Sequence, residues 1–417
     1  MNQEIQKLTE YCLNCKNKPC SNKGCPLNND IPTFIKFAKK GNIEEAYNTI
    51  IKTSALGGIC GRICPHLKQC EGSCIRGIKG EPVQIGKIES YIFDEAFKQN
   101  LDKKIQKTHE LKDKNIAIVG SGPASLNCAF FLAKKSANVT IFEKYNELGG
   151  ILAHGIPSFR LEKSVLQRTI EQILNLGVKV EYNKELGKNL KLEELEKGYD
   201  AVFLGIGANV PSKMNIEGED LTGVYGGNLL LEKNNHPNYE GKTVAIIGGG
   251  NVALDCARTI NKMKAKKVYI IYRRAEEQMP AELKEIAAAK NEGIEFLLQN
   301  NITKIMGNSQ VEKIECIKTE LAYKEGETRL VPVNIENSNY YIDIDYVVMA
   351  IGSKPDTNII NKLNLELNKN GYIKVNGNYQ TSNKKIFAGG DMIGAKQTVA
   401  WAAKTGREAA EAITNVI

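Results

Sequence analysis

The sequence lacks most of what would tie it to a membrane, an export route or a nucleic acid. No stretch approaches 18 consecutive apolar residues, which excludes a helical membrane span. The opening segment from Met1 to Cys15 has no apolar core of the secretory kind, so the chain is expected in the cytoplasm. Lys and Arg outnumber Asp and Glu by only 56 to 48, and no block of like charge reaches five or six residues. The surface therefore reads as soluble, with neither a nucleic-acid nor a membrane partner expected. Apolar types make up 42% and charged types 25%, which excludes a disordered or collagenous chain. At roughly 100–200 residues per domain, 417 residues imply two to four domains.

Cysteine is scarce after residue 74. Only Cys128, Cys256 and Cys316 lie beyond it, too far apart for the paired thiols of a dithiol redox site. His66, His109, His154 and His236 are the only histidines, and each reads as structural or surface. The other eight of the eleven cysteines crowd into the front: Cys12, Cys15, Cys20 and Cys25, then Cys60, Cys64, Cys70 and Cys74. A chain without an export signal seldom keeps disulfides, so such crowding points to metal. Zinc favours paired C-x2-C knuckles, and the second group has none. Two runs of four, with Pro directly after Cys25 and after Cys64, fit two 4Fe–4S clusters better, with ligands exchanged between the runs.

Two Gly-rich turns organise the rest. The β-rich run Asn115–Val119 leads into Gly120-Ser121-Gly122-Pro123-Ala124-Ser125 and a helical pattern. The next strand, Asn138–Phe142, ends at Glu143, 23 residues after Gly120, where a ribose hydroxyl acceptor belongs. This predicts a dinucleotide with an unmodified ribose, FAD or NAD, its pyrophosphate on the helix N-terminus. Gly149 and Gly150 permit a second close approach to that cofactor. The other turn, Gly248-Gly249-Gly250-Asn251-Val252-Ala253, follows the run Thr243–Ile247. Its second strand, Lys267–Tyr272, ends in Arg273-Arg274 where the first unit has an acid. Guanidinium groups there accommodate a 2′-phosphate, so NADP(H) is expected in preference to NAD(H).

The front segment shows helix signals without strand alternation. Asp30-Ile31-Pro32 opens a helix that Gly41 ends, Asn42-Ile43-Glu44-Glu45 resembles a capping box, and a charged helix is predicted over 94–113. Late in the chain, Asp345–Gly352 reads as a buried strand ending at Ile351-Gly352. Lys385–Ala388 is another, before Gly389-Gly390-Asp391, and an Ala-rich helix runs from about Thr398 to Ile413. The expected architecture is α/β: a helical iron–sulfur domain over 1–112, a discontinuous FAD domain over 113–232 and 345–417, and an NAD(P)H domain over 233–344. Both nucleotide-binding domains are expected to be Rossmann-like.

These features together resemble the small (β) subunit family of NADPH-dependent glutamate synthase. The wider group takes in the flavin and iron–sulfur half of dihydropyrimidine dehydrogenase and the large subunit of ferredoxin:NADP transhydrogenase. The resemblance covers essentially the whole chain. It rests on the eight-cysteine front, Glu147-Leu148-Gly149-Gly150-Ile151-Leu152, and His154-Gly155-Ile156-Pro157 with Arg160-Leu161. Tyr272-Arg273-Arg274 with Met279-Pro280-Ala281, and Gly389-Gly390-Asp391 with Thr398-Val399, complete it.

The resemblance implies FAD at the first turn, with Lys144, Ile151, Arg160, Ile351, Gly352, Gly390, Asp391, Thr398 and Val399 among the cofactor contacts, and NAD(P)H at the second. It implies one cluster on Cys12, Cys15, Cys20 and Cys74. The other falls on Cys25, Cys64, Cys70 and Glu89, which leaves Cys60 a spare thiol; Cys60 as the fourth ligand is the competing reading. It also implies a helix N-terminus near Thr398 facing the flavin, where negative charge collects on reduction. Hydride transfer to flavin needs stacking and orientation, so no acid–base catalytic residue is nominated. The implied partner is an electron-accepting subunit, the glutamate synthase large subunit being favoured. The alternatives are a bifurcating transhydrogenase and a dihydropyrimidine dehydrogenase.

Overall fold

The computed structural model describes residues 3–323 and 330–417. Five helices build the front: α1 (Gln3–Tyr11), α2 (Ile31–Lys39), α3 (Ile43–Ile50), α4 (Gly57–Ile63) and α5 (Ile85–Lys98). Pro32 sits in the first turn of α2, where its missing N–H costs nothing. The Asn42 side chain accepts the Glu45 amide at 3.1 Å and caps α3, a contact worth about 1 kcal/mol. The helix expected over 94–113 is different in the structure. It begins at Ile85 and stops at Lys98, because Asn100 takes a left-handed φ of 53° and the Lys-rich stretch beyond it has no apolar stripe to bury.

The chain continues through β1 (Asn115–Val119), α6 (Pro123–Lys134), β2 (Asn138–Phe142), α7 (Ile151–His154), α8 (Lys163–Leu174), β3 (Lys179–Glu181), α9 (Leu192–Gly198) and β4 (Ala201–Leu204). Next come β5 (Val210–Pro211), β6 (Val224–Gly226), α10 (Gly227–Lys233), β7 (Thr243–Ile247), α11 (Asn251–Lys262), β8 (Lys267–Tyr272), α12 (Leu283–Asn291) and β9 (Glu295–Leu298). The strands β10 (Asn300–Met306), β11 (Lys313–Ala322), β12 (Val331–Asn334), β13 (Tyr340–Asp343), β14 (Tyr346–Met349) and β15 (Ser353–Lys354) follow. The chain closes through α13 (Thr357–Ile360), β16 (Ile386–Ala388) and α14 (Val399–Val416).

These elements form two compact units. One runs to Ala208 and resumes over Pro355–Ile417; the other is Asn209–Lys354. The first holds a parallel sheet of order β16-β4-β1-β2-β3. Both faces are covered, as parallel sheets require. Ile116 and Ile118 of β1 point into a core shared by the front helices, α6, α8 and α14. Ala117 and Val119 point into the opposite core with Leu204, Ile386 and Met392.

The second unit repeats this plan with order β6-β14-β7-β8-β9. Val244 and Ile246 face its helices, while Ala245 and Ile247 face the antiparallel sheet of β10 to β13.

The second unit begins before the 232 and ends after the 344 drawn from sequence. Strands β6 and β14 pair within the second unit, so it extends from 209 to 354. The front helices share one continuous core with the first sheet and do not stand apart from it.

Candidate functional site

In the front segment the fold sorts the cysteines into two groups. Cys12, Cys15, Cys20 and Cys74 line one small cavity walled by Pro19, Ile31, Pro32, Ile35 and Val83. Cys20 opens the turn Cys20–Gly24, and Cys74 follows the turn Glu71–Ser73. The second group is Cys25, Cys60, Cys64, Cys70 and Glu89, whose ionised forms repel one another. Cys60 and Cys64 lie at the end of α4, and Glu89 lies on α5. Those helices cross where a Cβ on Gly61 would stand 2.7 Å from the Gly86 carbonyl oxygen. Only glycine permits that approach, and it delivers Glu89 to the cysteines.

Burial pushes the Cys20 thiol up to about 11 and the Cys25 thiol up to about 12. It holds Cys70 well above the ordinary range, and a hydrogen bond with Cys60 together with burial does the same for Cys64. Burial raises the Glu89 carboxyl to about 8, against a hydrogen bond from the Asn29 amide at 3.3 Å. Groups packed this way ionise against compensating cations, which the irons of a cluster supply. Among the described residues no three His, Cys, Asp or Glu side chains close up around a single ion position. A four-iron cube spreads its ligands more widely than one zinc ion does, and the donor set fits it.

The first Gly-rich turn joins β1 to α6. Gly120 has φ of 89°, and a Cβ there would meet the Gly205 oxygen at 2.7 Å. Gly122 is required for a different reason. A Cβ on it would meet nothing nearer than 4.0 Å, so its hydrogen keeps the mouth of the turn open to a ligand. Gly150, at φ of 53°, approaches so closely that its Cβ would stand 2.9 Å from the Gly122 Cα. Ser121 ties these pieces together: its hydroxyl donates to Glu143 at 2.5 Å and accepts the Gly149 amide at 3.0 Å. Glu143 is buried and also accepts the Tyr145 amide at 2.9 Å. Lys144 and Ile151 are exposed at the rim, and Arg160 sits in the turn after α7.

Pro123 and Ala124 begin α6 and are buried, as is Ser125, whose hydroxyl lies 3.4 Å from the Gly205 oxygen. From the C-terminal side, Gly390 donates its amide to Thr405 at 2.8 Å. Burial raises the Asp391 carboxyl to about 6. Thr398 caps α14 by accepting the Trp401 amide at 3.3 Å, with Val399 as its first residue.

The second turn joins β7 to α11 in the same manner. Gly248 has φ of 140° with the Ala350 oxygen 2.3 Å from a would-be Cβ, while beside Gly250 the nearest atom is 3.8 Å away. Asn251 accepts the Glu282 amide at 3.0 Å; Val252 and the fully buried Ala253 continue the helix. Arg273 is exposed and lines a cavity of about 490 Å³ with Lys213, Asn301, Thr303, Asn334 and Ile351. The Arg274 Nε is buried with no hydrogen-bond partner among the described residues. Gly352, at φ of 107°, follows β14.

Lys213 and Asn29 were not legible beforehand. Lys213 lies in an unpatterned link, and Asn29 is one polar residue before a helix start; only the fold sets them beside Arg273 and Glu89.

Comparison with known proteins accords with this geometry. The pattern of the pyridine nucleotide-disulphide oxidoreductase family matches residues 114–409, and that of dihydropyrimidine dehydrogenase domain II, 4Fe-4S cluster, matches residues 1–101. The glutamate synthase (NADPH) small chain of Escherichia coli is 36% identical, the match covering 97% of this chain and 90% of that one. The β subunit of an NADP(+)-dependent formate dehydrogenase from Moorella thermoacetica is 34% identical over 95% of this chain and 59% of its own length. Among solved structures, Mycobacterium tuberculosis FprA in complex with NADPH shares the fold with a TM-score of 0.64 at 19% identity, over 72% of this chain and 84% of that one. With an FAD- and NADP-binding body of that fold and a 4Fe–4S front, this chain is an NADPH-dependent oxidoreductase and belongs to the glutamate synthase small-chain family.

Proposed function

We propose that the chain is the electron-input subunit of a larger enzyme, taking reducing equivalents from NADPH and delivering them to a partner protein, the glutamate synthase large subunit being favoured. The observation that carries this reading is the pairing of two open Gly-rich turns with two cysteine groups in one chain that has no paired thiols in its body. When bound, FAD supplies a hydride acceptor and the iron–sulfur clusters supply one-electron carriers.

The residues of the chain hold and orient. Gly120, Gly122 and Gly150 clear space for a pyrophosphate, and Glu143 stands ready to accept a ribose hydroxyl. Arg273 and Arg274 meet a 2′-phosphate with charge-assisted hydrogen bonds and so select NADPH over NADH. Cys12, Cys15, Cys20 and Cys74 hold one cluster; Cys25, Cys64, Cys70 and Glu89 hold the other. Asp391 and the N-terminus of α14 would hold a bound flavin, and there the helix dipole would favour negative charge.

The test is reconstitution. The holoprotein alone should oxidise NADPH with an artificial acceptor but form no glutamate, whereas adding the large subunit should give NADPH-driven, glutamine-dependent glutamate formation. Tight association with a different oxidoreductase subunit, and no response to the glutamate synthase large subunit, would reassign the partner.

A further inference from the structure

The cavity of about 490 Å³ lies wholly within the unit Asn209–Lys354. Arg273 follows β8 and Ile351 follows β14, the two strands that flank β7 in the parallel sheet. Strand β7 leads into the second Gly-rich turn, and the C-terminal ends of all three share the edge where open α/β sheets take their ligands. Met214, Ile216 and Ile302 offer apolar wall to an adenine ring. Among the described residues, the charged side chains lining the cavity are Lys213 and Arg273.

The wall that carries Lys213 is tied down. Glu219 accepts the Met214 and Asn215 amides at 2.7 Å each and the Ile216 amide at 3.3 Å. The Glu217 carbonyl accepts the Ile305 amide at 2.9 Å, and a Cβ on Gly218 would strike the Ile305 oxygen. The link is thus pinned to β10, which supplies Ile302 to the same cavity. The Arg273 carbonyl accepts the Thr319 hydroxyl at 3.0 Å, which fixes its backbone while its side chain stays exposed. Lys213 pairs with Asp220 at 2.7 Å, both side chains being exposed, and an ion pair of that kind is weak enough to exchange.

We propose that Lys213 is a specificity-determining residue for NADPH, leaving Asp220 to join Arg273 on the 2′-phosphate in this cavity. The inference rests on the reading that NADPH binds the second turn with Arg273 at its 2′-phosphate. That phosphate brings about −1.5 to −2 charges into a site whose two arginines both leave one strand end. Lys213 meets it from a separate wall, as a point charge beside the planar guanidinium. NADH has a hydroxyl at the same position, so the contact discriminates between the nucleotides and adds nothing to the part they share. Asp220 competes with the phosphate, because it holds Lys213 until the nucleotide arrives.

The experiment is a calorimetric binding titration of the holoprotein with NADP+ and NAD+, and with 2′,5′-ADP and 5′-AMP as probes of the adenosine end. Lys213→Gln should weaken NADP+ and 2′,5′-ADP roughly tenfold, the lower end for a hydrogen bond to a charged group, while NAD+ and 5′-AMP keep their affinities. Lys213→Arg should restore most of the loss. Asp220→Asn should tighten 2′,5′-ADP about two- to fivefold in the unaltered background, the worth of an exposed ion pair. In the Lys213→Gln background it should do nothing, because no cation remains to be released. Equal weakening of both nucleotides by Lys213→Gln, or no change in either, overturns the inference alone. An unaltered protein that binds NADP+ no more tightly than NAD+ overturns the reading beneath it.

Discussion

The front segment and the body of this protein build their sites from different material. In the front, the groups brought together are side chains: eight thiols and a carboxylate, set in two groups by short turns and by one glycine crossing between helices. In the body, two βαβ units expose backbone at Gly122 and Gly250, and the next strand ends in an acid, Glu143, in one and in Arg273-Arg274 in the other. The contrast says where each half tolerates change. A front site is expected to fail when a side-chain donor is removed, and a body site when a side chain is added.

The largest expected effect follows from removal. Cys20→Ser should take about half the iron, one 4Fe–4S cluster of two, and Glu89→Ala should do the same to the other cluster; iron analysis and EPR read both. NADPH binding should persist, because Asn209–Lys354 is a compact unit of its own. The other unit should melt at lower temperature, because the front helices and the first sheet share one core. Addition comes next. Gly122→Val should abolish FAD retention and Gly250→Val should abolish NADPH binding, each sparing the iron; a Gly250→Val protein that binds NADPH normally breaks the contrast.

A smaller effect tests the reading at the strand end. Arg273→Glu should weaken NADPH by about 10- to 100-fold, the worth of a charge-assisted contact, while NADH changes little; competition titrations measure the ratio. Equal use of both nucleotides by the unaltered protein would overturn the assignment.

The smallest effect concerns Asp391, a carboxyl that the body buries. Its folded value, about 6, lies above the ordinary 3.8, so the folded state holds the proton more tightly than the unfolded chain does. The favourable contribution is complete below the unfolded value and is lost as pH rises through about 6. Cofactor-free protein should therefore lose melting temperature over that window, and Asp391→Asn should flatten the loss.

Much of this was legible because it is local. The strands 115–119, 138–142, 243–247 and 267–272 emerge from the sequence with their observed limits, since each is a β-branched run bounded by glycine or charge. The cysteine groups and both Gly-rich turns are spacing motifs and need no tertiary information. What escaped is what depends on distant pairing. Strand β6 is only Val224–Gly226, and nothing in three residues announces that it joins β14 more than a hundred positions away. The sheet of β10 to β13 was missed because β10 mixes polar and apolar residues on both faces and β13 is only four residues long. The helix placed over 94–113 failed because charge alone sets no boundary, whereas the left-handed Asn100 does.

The close contact between α6 and α14 carries a consequence for biosynthesis. A Cβ on Gly406 would stand 2.0 Å from the Ala124 oxygen, so α14 seats directly on the helix that opens at the first Gly-rich turn. Its neighbour Arg407 reaches the Leu27 carbonyl at 2.9 Å, and Asn127 of α6 bonds both Ala55 and Ala403. Yet α14 and strand β16 leave the ribosome only after all of residues 209–354. The inserted unit has its complete chain while the first still waits for its last strand and helix. During translation Ile116, Phe130 and the front helices therefore stay without the surface they finally bury, and the nascent first half is the part that needs protection until synthesis ends.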